Sequence, residues 1–328
     1  MNTSVVQSAR FHNFGVPSEV LKVESEEPRP LVAGRVRVRM LAAPINPADL
    51  NFIEGTYGVR PELPATPGIE GCGEIEESLA PGWEPGDRVI LLGRLGSWST
   101  SVDAGPADLL RVPRSLDPVQ ASMLKVNPAT AWRLLTSVDR LDPGSWVVQN
   151  AANSNAGQCL VQLAREIGLR TINLVRRMEV AEDLRKIGAD VVLPDDANAV
   201  SAALDATSGE RPRLACNAVG GESALRLLDM LSEEGLHLTY GAMSRRSLKI
   251  PNSLLIFRRL RLHGFWMTRW LESAPREELE ETYSWLADLA ATGKLVQPVD
   301  STFPLEKVCS AVSRASESGR SGKVVLVH

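Results

Sequence analysis

The fold is decided by Ser145–Arg177, which reads SWVVQNAANSNAGQCLVQLAREIGLRTINLVRR. A short apolar run is followed by a polar turn. Leu160, Leu163, Ala164 and Ile167 then recur at helical spacing, and TINLV returns as a second short apolar run. Strand, turn, helix and strand in immediate succession form a βαβ unit, the building block of a parallel sheet. The alternation continues downstream through a helix near residues 179–187, strand-like DVVL and RLACNAV, and a helix near 222–231. HLTYGAM, RLHGFW and a helix near 276–291 complete it. This pattern predicts one parallel α/β domain over residues 121–297. Its entry, about 119–137, reads as helical segments interrupted near Asn127–Pro128, because proline lacks an N–H and restricts the residue before it.

Upstream the texture changes to short apolar runs punctuated by glycine and proline. RVRVRMLAAPI (Arg35–Ile45) alternates polar and apolar residues before turning apolar, as a strand entering a core does. Gly68, Gly71 and Gly73 adjoin a second candidate strand, and PGDRVILL supplies a turn and a third. Residues 1–120 are therefore expected to form a β-rich domain. The VVLV run of the tail predicts a final strand that returns to it, so residues 298–328 are assigned there too.

Composition narrows the function. With 328 residues, 44% hydrophobic and 23% charged, the chain can bury two ordinary cores. A net charge of -4 offers no general attraction to nucleic acid. No run approaches the length of a membrane span, and the N-terminus lacks a secretory apolar core and is a poor arginine-rich transit helix, which sets the expectation of a cytoplasmic protein with no membrane partner. Cys72, Cys159, Cys216 and Cys309 are scattered without a CxxC pair, as are the four histidines, so neither a disulfide framework nor a protein-bound zinc is expected.

The turn after WVVQ is where a dinucleotide domain meets pyrophosphate, with backbone N–H groups and a helix N-terminus. Here it holds Asn153, Ser154, Asn155, Ala156 and Gly157, with a single glycine, so it is no full GxGxxG fingerprint. Asn155 is expected to carry unusual backbone geometry, which asparagine tolerates better than most residues. An ordinary capped helix would show the same turn. The next strand ends at Val175 and is followed by Arg176 and Arg177. An acidic residue there would suit an unphosphorylated ribose, whereas arginines suit a 2′-phosphate, and this favours NADPH. In isolation the pair is also what a solvated loop would show. Asn217 with Gly220–Gly221, and Tyr240–Gly241, follow later candidate strands, where either turn chemistry or cofactor contact accounts for them.

Several ordered blocks then match one family together. LAAPINPADLNFIEGTYG, LPATPGIEGCGEI, KVNPATAWRLL, QNAANSNAGQ, TINLVRR, LLIFRRLRLHGFW and SGKVVLV resemble the medium-chain dehydrogenase/reductase superfamily, specifically its zinc-free trans-2-enoyl thioester reductases. The resemblance covers almost the whole chain. It implies a Rossmann nucleotide-binding domain plus a β-rich GroES-like substrate domain formed by both termini. It implies that Tyr57 is the catalytic tyrosine. It also implies cofactor contacts at Asn127, at Asn153, Ser154, Asn155 and Ala156, and at Arg176 and Arg177. Further contacts are implied at Tyr240, Gly241, Ala242 and Met243, at Phe265, Trp266, Met267 and Thr268, and at Lys323. Trp266 is expected to shape the nicotinamide or acyl pocket. Zinc-containing relatives carry a histidine where this chain has Ile69, and a cysteine in the early loop that here reads AAPINPAD. The phosphate turn departs from the family's Asn-Ser-Gly-Val-Gly by placing Asn155 at the middle glycine.

The implied reaction is hydride transfer from NADPH to C3 of a trans-2-enoyl thioester, giving an enolate that Tyr57 protonates at C2 directly or through water. A phenol can donate that proton while its ring packs beside an acyl chain. Arg258, Arg259 and Arg261 would steer coenzyme A phosphates or an acidic acyl-carrier protein; a solvated strand edge reads the same, and the carrier stays open. The resemblance further implies a homodimer and a place in fatty-acid metabolism. NADPH-dependent quinone reduction is the nearest enzymatic alternative, and a non-catalytic NADPH-binding regulator is an alternative of a different class.

Overall fold

A computed structural model describes residues 5–136 and 141–328. The chain divides into two compact units: the N-terminal part up to Val126 together with Pro275–His328, and Asn127–Ala274.

In the first unit β1 (Val6–Phe11) leads through α1 (Pro17–Val20) to β2 (Leu21–Glu26), which pairs with it antiparallel. β3 (Val36–Pro44) follows. Its alternation buries Val36, Val38 and Met40. Its outward residues Arg37 and Arg39 pair with Asp103 at 2.8 Å and Glu74 at 2.6 Å. α2 (Pro47–Glu54) starts at a capping box in which the Asn46 N–H donates to Asp49 Oδ2 at 2.9 Å, with proline in the first turn. It stops at Gly55, whose φ of 73° is left-handed. β4 (Cys72–Ser78), β5 (Arg88–Leu91), β6 (Ser101–Ala104) and β7 (Leu109–Arg111) extend the sheet, and α3 (Pro118–Ser122) closes this pass.

The second unit opens with α4 (Asn127–Thr136). Pro128 lies in its first turn, where no N–H is needed, so the break between the helices falls earlier, at 123–126. Then come β8 (Trp146–Gln149), α5 (Asn155–Glu166), β9 (Arg170–Val175), α6 (Ala181–Lys186), β10 (Val191–Pro194) and α7 (Ala199–Ala206). β11 (Leu214–Asn217), α8 (Gly221–Met230), β12 (Leu236–Thr239), α9 (Asn252–Ile256), β13 (Arg261–Gly264) and α10 (Met267–Ser273) complete it. All six strands are parallel in the order β10-β9-β8-β11-β12-β13, the Rossmann arrangement. Trp146, Val148, Ile172, Leu174, Ala215, Leu227 and Leu228 pack in one core, where each fully buried valine or leucine contributes about 1.5–3 kcal/mol.

On its return the chain forms α11 (Arg276–Ala291), β14 (Val299–Pro304), α12 (Val308–Ser316) and β15 (Lys323–Val327). β15 pairs antiparallel with β3 and parallel with β14, giving the order β14-β15-β3-β4-β5-β7 with β6 also on β3. Pattern reading placed the crossings at 120/121 and 297/298; the compact units meet along the chain at 126/127 and 274/275. The cause at the second crossing is α11, whose helical period alone gives no allegiance. Its Tyr283 hydroxyl donates to the Lys125 carbonyl at 3.0 Å, and Arg276 Nη2 donates to the Leu109 carbonyl at 2.7 Å, so it belongs to the first unit.

Candidate active site

In the second unit the strand order reverses between β8 and β11, and ligands of such sheets bind outside the carboxyl ends at that point. Asn150 organises this edge. Its Oδ1 accepts the Ala218 N–H at 2.8 Å, and its Nδ2 donates to Asn217 Oδ1 at 2.9 Å and Ser223 Oγ at 2.8 Å. Asn217 Nδ2 in turn donates to Thr239 Oγ1 at 3.2 Å, so the ends of three strands share one buried network. Pattern reading singled out Asn217 and missed Asn150, which looked like ordinary turn polarity.

α5 begins immediately beyond. Ser154 is its N-cap, its hydroxyl accepting the Gly157 N–H at 3.1 Å, while Gln158 Nε2 donates to the Asn153 carbonyl at 3.0 Å. A Cβ on Gly157 would lie 2.6 Å from the Ala152 carbonyl oxygen and 2.7 Å from its Cα, so the helix approaches the turn as only glycine permits. Asn155 does not carry the unusual geometry expected of it. It is the first helical residue, and the left-handed position is Ala151, at φ 49°. Ala156 follows Asn155 in the first turn.

Three polar groups here have no acceptor or donor among the described residues although they are buried: Asn155 Nδ2, Tyr240 Oη and Asn127 Nδ2. Unpaired buried polar atoms are rare in folded proteins, and those of Asn155 and Tyr240, just beyond the carboxyl ends of β8 and β12, point to a bound polar ligand. Tyr240 continues from β12, its N–H donating to the Asn217 carbonyl at 3.0 Å; burial pushes its phenol upward. A Cβ on Gly241 would lie 2.9 Å from the Ala218 carbonyl oxygen, and the Met243 N–H donates to that oxygen at 2.9 Å, with Ala242 and Met243 exposed. Arg176 and Arg177 lie exposed just past β9, with no ion pair among the described residues. Phe265 donates its N–H to the Thr239 carbonyl at 2.9 Å. Trp266 is the exposed N-cap of α10, Met267 is buried and Thr268 half-buried. These residues, Lys323 apart, fit a dinucleotide.

The other basic cluster has a structural role instead. Arg258 caps the end of α8, donating to the Leu228, Asp229 and Leu231 carbonyls. Arg259 pairs with Glu234 at 2.5 Å, and Arg261 Nε donates to the Glu234 carbonyl at 3.1 Å.

In the first unit, Tyr57 follows α2 directly and its N–H donates to the Asn51 carbonyl at 3.1 Å. Its half-buried ring packs against the core formed by α2, β1 and α12. The Arg94 guanidinium carbon lies 5.1 Å from the centre of that ring and 4.9 Å from the centre of the Phe52 ring. Behind α2 sits a buried ionic cluster of Asp49, Glu70, Lys125 and Lys323. Glu70 accepts from Asn46 Nδ2 and from the Val126 N–H, both at 2.8 Å. The Lys323 ammonium donates to Asn46 Oδ1 and, at 3.4 Å, to the Ile45 carbonyl. Lys125 donates to the Ile69 and Gly93 carbonyls. Burial raises the carboxyls of Asp49 and Glu70 and lowers Lys125 to about 8. Sequence reading missed Glu70, Lys125 and Arg94; a lysine inside the apolar run Met123–Val126 was the available signal. Ile69 presents hydrocarbon, and both Glu70 oxygens are engaged, so this donor set does not suit zinc.

Two family models match the chain: the alcohol dehydrogenase GroES-like domain over residues 32–113 and the zinc-binding dehydrogenase over residues 156–288. The mitochondrial enoyl-acyl-carrier-protein reductase of Xenopus tropicalis is 38% identical over 328 residues, 97% of this chain and 94% of that protein. The human one is 37% identical, over 98% and 88%. Among solved structures, the Etr1p complex with NADP and crotonyl-CoA superposes with a TM-score of 0.90 at 27% identity, covering 99% and 100% of the two chains. A Bacillus thuringiensis protein described as an NADPH:quinone reductase superposes at 0.92 with 30% identity, covering 99% of each. The mitochondrial relatives overturn the expectation of a cytoplasmic protein. That expectation rested on an N-terminus that reads neither as an apolar leader nor as an arginine-rich transit helix, and such a reading of one terminus does not assign a compartment.

The close approach at α5 makes Gly157→Ala a direct check of this geometry. The added methyl should force backbone apart and cost about 1–3 kcal/mol in urea unfolding. Unchanged stability would mean that α5 does not pack on the Ala151–Ala152 turn as described.

Proposed function

Because this chain belongs to the enoyl thioester reductases of the medium-chain dehydrogenase/reductase superfamily, we propose that it reduces trans-2-enoyl thioesters to saturated acyl thioesters with NADPH. The observation that carries the reading is likeness to such reductases through both units, including one solved with NADP and crotonyl-CoA.

Bound NADPH would supply the hydride that C3 of the substrate accepts. Asn127, Tyr240 and Asn155 would satisfy their unpaired polar atoms on it, and the start of α5 would face its pyrophosphate. Arg176 and Arg177 would hold the 2′-phosphate. Trp266, exposed beside Phe265, would offer an aromatic wall to the ligand. Lys323 keeps its ammonium on Asn46 and Ile45, so its part is to hold the turn before α2. Tyr57 donates the proton at C2 while the substrate's negative charge rests on the thioester oxygen. No step uses a protein-bound metal, since Ile69 offers no ligand atom. The thioester carrier is coenzyme A or acyl-carrier protein, the first present in the Etr1p complex and the second in the relatives' names.

Quinone reduction is the second reading, favoured by the Bacillus thuringiensis likeness. The two separate in one assay of NADPH oxidation, run with a chelator, using a short trans-2-enoyl-CoA in one arm and a quinone in the other. The expected result is enoyl-dependent oxidation yielding saturated product. Tyr57→Phe should lower kcat by about 10²–10⁴ while leaving NADPH affinity intact. Replacing both Arg176 and Arg177 by alanine should weaken NADPH and spare NADH. Oxidation with quinone alone would reverse the assignment.

We also infer a homodimer. β13 is the edge of the parallel sheet, and beside it Leu255, Ile256 and Phe257 are 41%, 65% and 77% exposed, an apolar patch of the kind that covers itself by association. A related reductase is known as the Etr1p/Etr2p heterodimer. Sedimentation should show a dimer that Phe257→Asp dissociates; a monomeric native protein would refute the inference.

A further inference from the structure

We propose, resting on the enoyl-reductase reading, that Arg94 is a catalytic residue whose Nη1 donates to the thioester oxygen as that oxygen becomes negative. Arg94 stands in the loop between β5 and β6, outside every motif that suggested the family. Its guanidinium is held on the faces of Phe52 and Tyr57, at 4.9 Å and 5.1 Å from the ring centres. Stacking engages the plane of a guanidinium and leaves its N–H groups directed outward. Nη1 is buried and has no acceptor among the described residues. A buried cationic donor without an acceptor is costly, and a site that keeps one gains from an anion placed there.

The surrounding hydrogen bonds support this. Arg94, Lys125 and Lys323 share one electrostatic neighbourhood with Asp49 and Glu70. Both carboxylates already accept hydrogen bonds: Asp49 from the Asn46 and Ile69 N–H groups, Glu70 from Asn46 Nδ2 and the Val126 N–H. Asp108 also faces Lys125, so three carboxylates balance three cations; none of them accepts from Arg94 Nη1, which is left for negative charge that develops during reaction.

The arriving hydride pair forms a C–H bond at C3, the C2–C3 π pair shifts to the C1–C2 bond, and the carbonyl π pair moves to oxygen. Arg94 donates a hydrogen bond to that oxygen without losing a proton. The charge then returns through C2, which takes the proton from the Tyr57 hydroxyl, and the phenolate is reprotonated from solvent. An anion stabilised in place before the proton arrives lowers the barrier to hydride transfer.

Arg94→Met keeps the length and apolar packing and removes the donor. It should lower kcat by about 10²–10³ with little change in KM. The loss should persist when the same change is made in the Tyr57→Phe protein, because the oxyanion contact acts apart from the phenol. Arg94→Lys, which restores charge without the planar fork, should recover part of the rate and serves if the methionine variant does not fold. A 3-ketoacyl-CoA gives an independent readout, since its enolate bears the same oxygen anion and absorbs in the ultraviolet. The native protein with NADP should promote its ionisation, and Arg94→Met should not. Full kcat in both variants, or a loss that vanishes in the Tyr57→Phe background, overturns the role of Arg94. Failure of the native protein to reduce any enoyl thioester overturns the underlying reading instead.

Discussion

Glu70 is a carboxylate with no exposure to water, and the first unit is arranged around keeping it satisfied. One oxygen takes the Asn46 side chain, which begins α2; the other takes the Val126 N–H, where the chain leaves the unit. Asn46 in turn receives the ammonium of Lys323, the first residue of the returning β15. Three segments distant in sequence therefore converge on one ion. Desolvation opposes this arrangement, raising Glu70 and lowering Lys125, so the cluster survives only through its hydrogen bonds and opposite charges. Deleting one partner of such a cluster typically costs about 3–5 kcal/mol. The same contacts set the start of the helix that Tyr57 follows, so the placement of Tyr57 depends on them.

A neutral counterpart operates in the second unit. Asn150 joins β8 to β11 by pairing with Asn217 and the Ala218 N–H, and Asn217 carries the network to Thr239 at the end of β12. Amide side chains suit this place because each both donates and accepts without adding charge. The strand ends are thereby tied together by hydrogen bonds, while Asn155, Tyr240 and Asn127 keep polar atoms unpaired. Catalysis by hydride transfer depends on this kind of preorganisation.

The parallel sheet was legible because strand and helix periods alternate cleanly from Trp146 onward, and α11 could be read to the residue. α7 escaped because AVSAALDA is a short run of mostly small residues. The allegiance of α11 to the first unit was invisible, since it rests on Tyr283 and Arg276 bonding to distant carbonyls. At the candidate site, the turn and the arginine pair stand out in the sequence by position. The buried ions do not, because Glu70 and Lys125 have meaning only once folding brings them together. Asn155 was misjudged for a related reason: a missing glycine suggests strain at its own position, yet the chain places the left-handed residue four positions earlier, at Ala151.

Reduction of an enoyl thioester in this way delivers hydride to C3 and a proton to C2. Mass spectrometry of the product formed from a short trans-2-enoyl-CoA tests it most directly. NADPH deuterated at the transferable position should leave one deuterium at C3, and unlabelled NADPH in heavy water should place one at C2. A saturated product with cofactor deuterium at C2, or no saturated product while NADPH is consumed, would contradict the account.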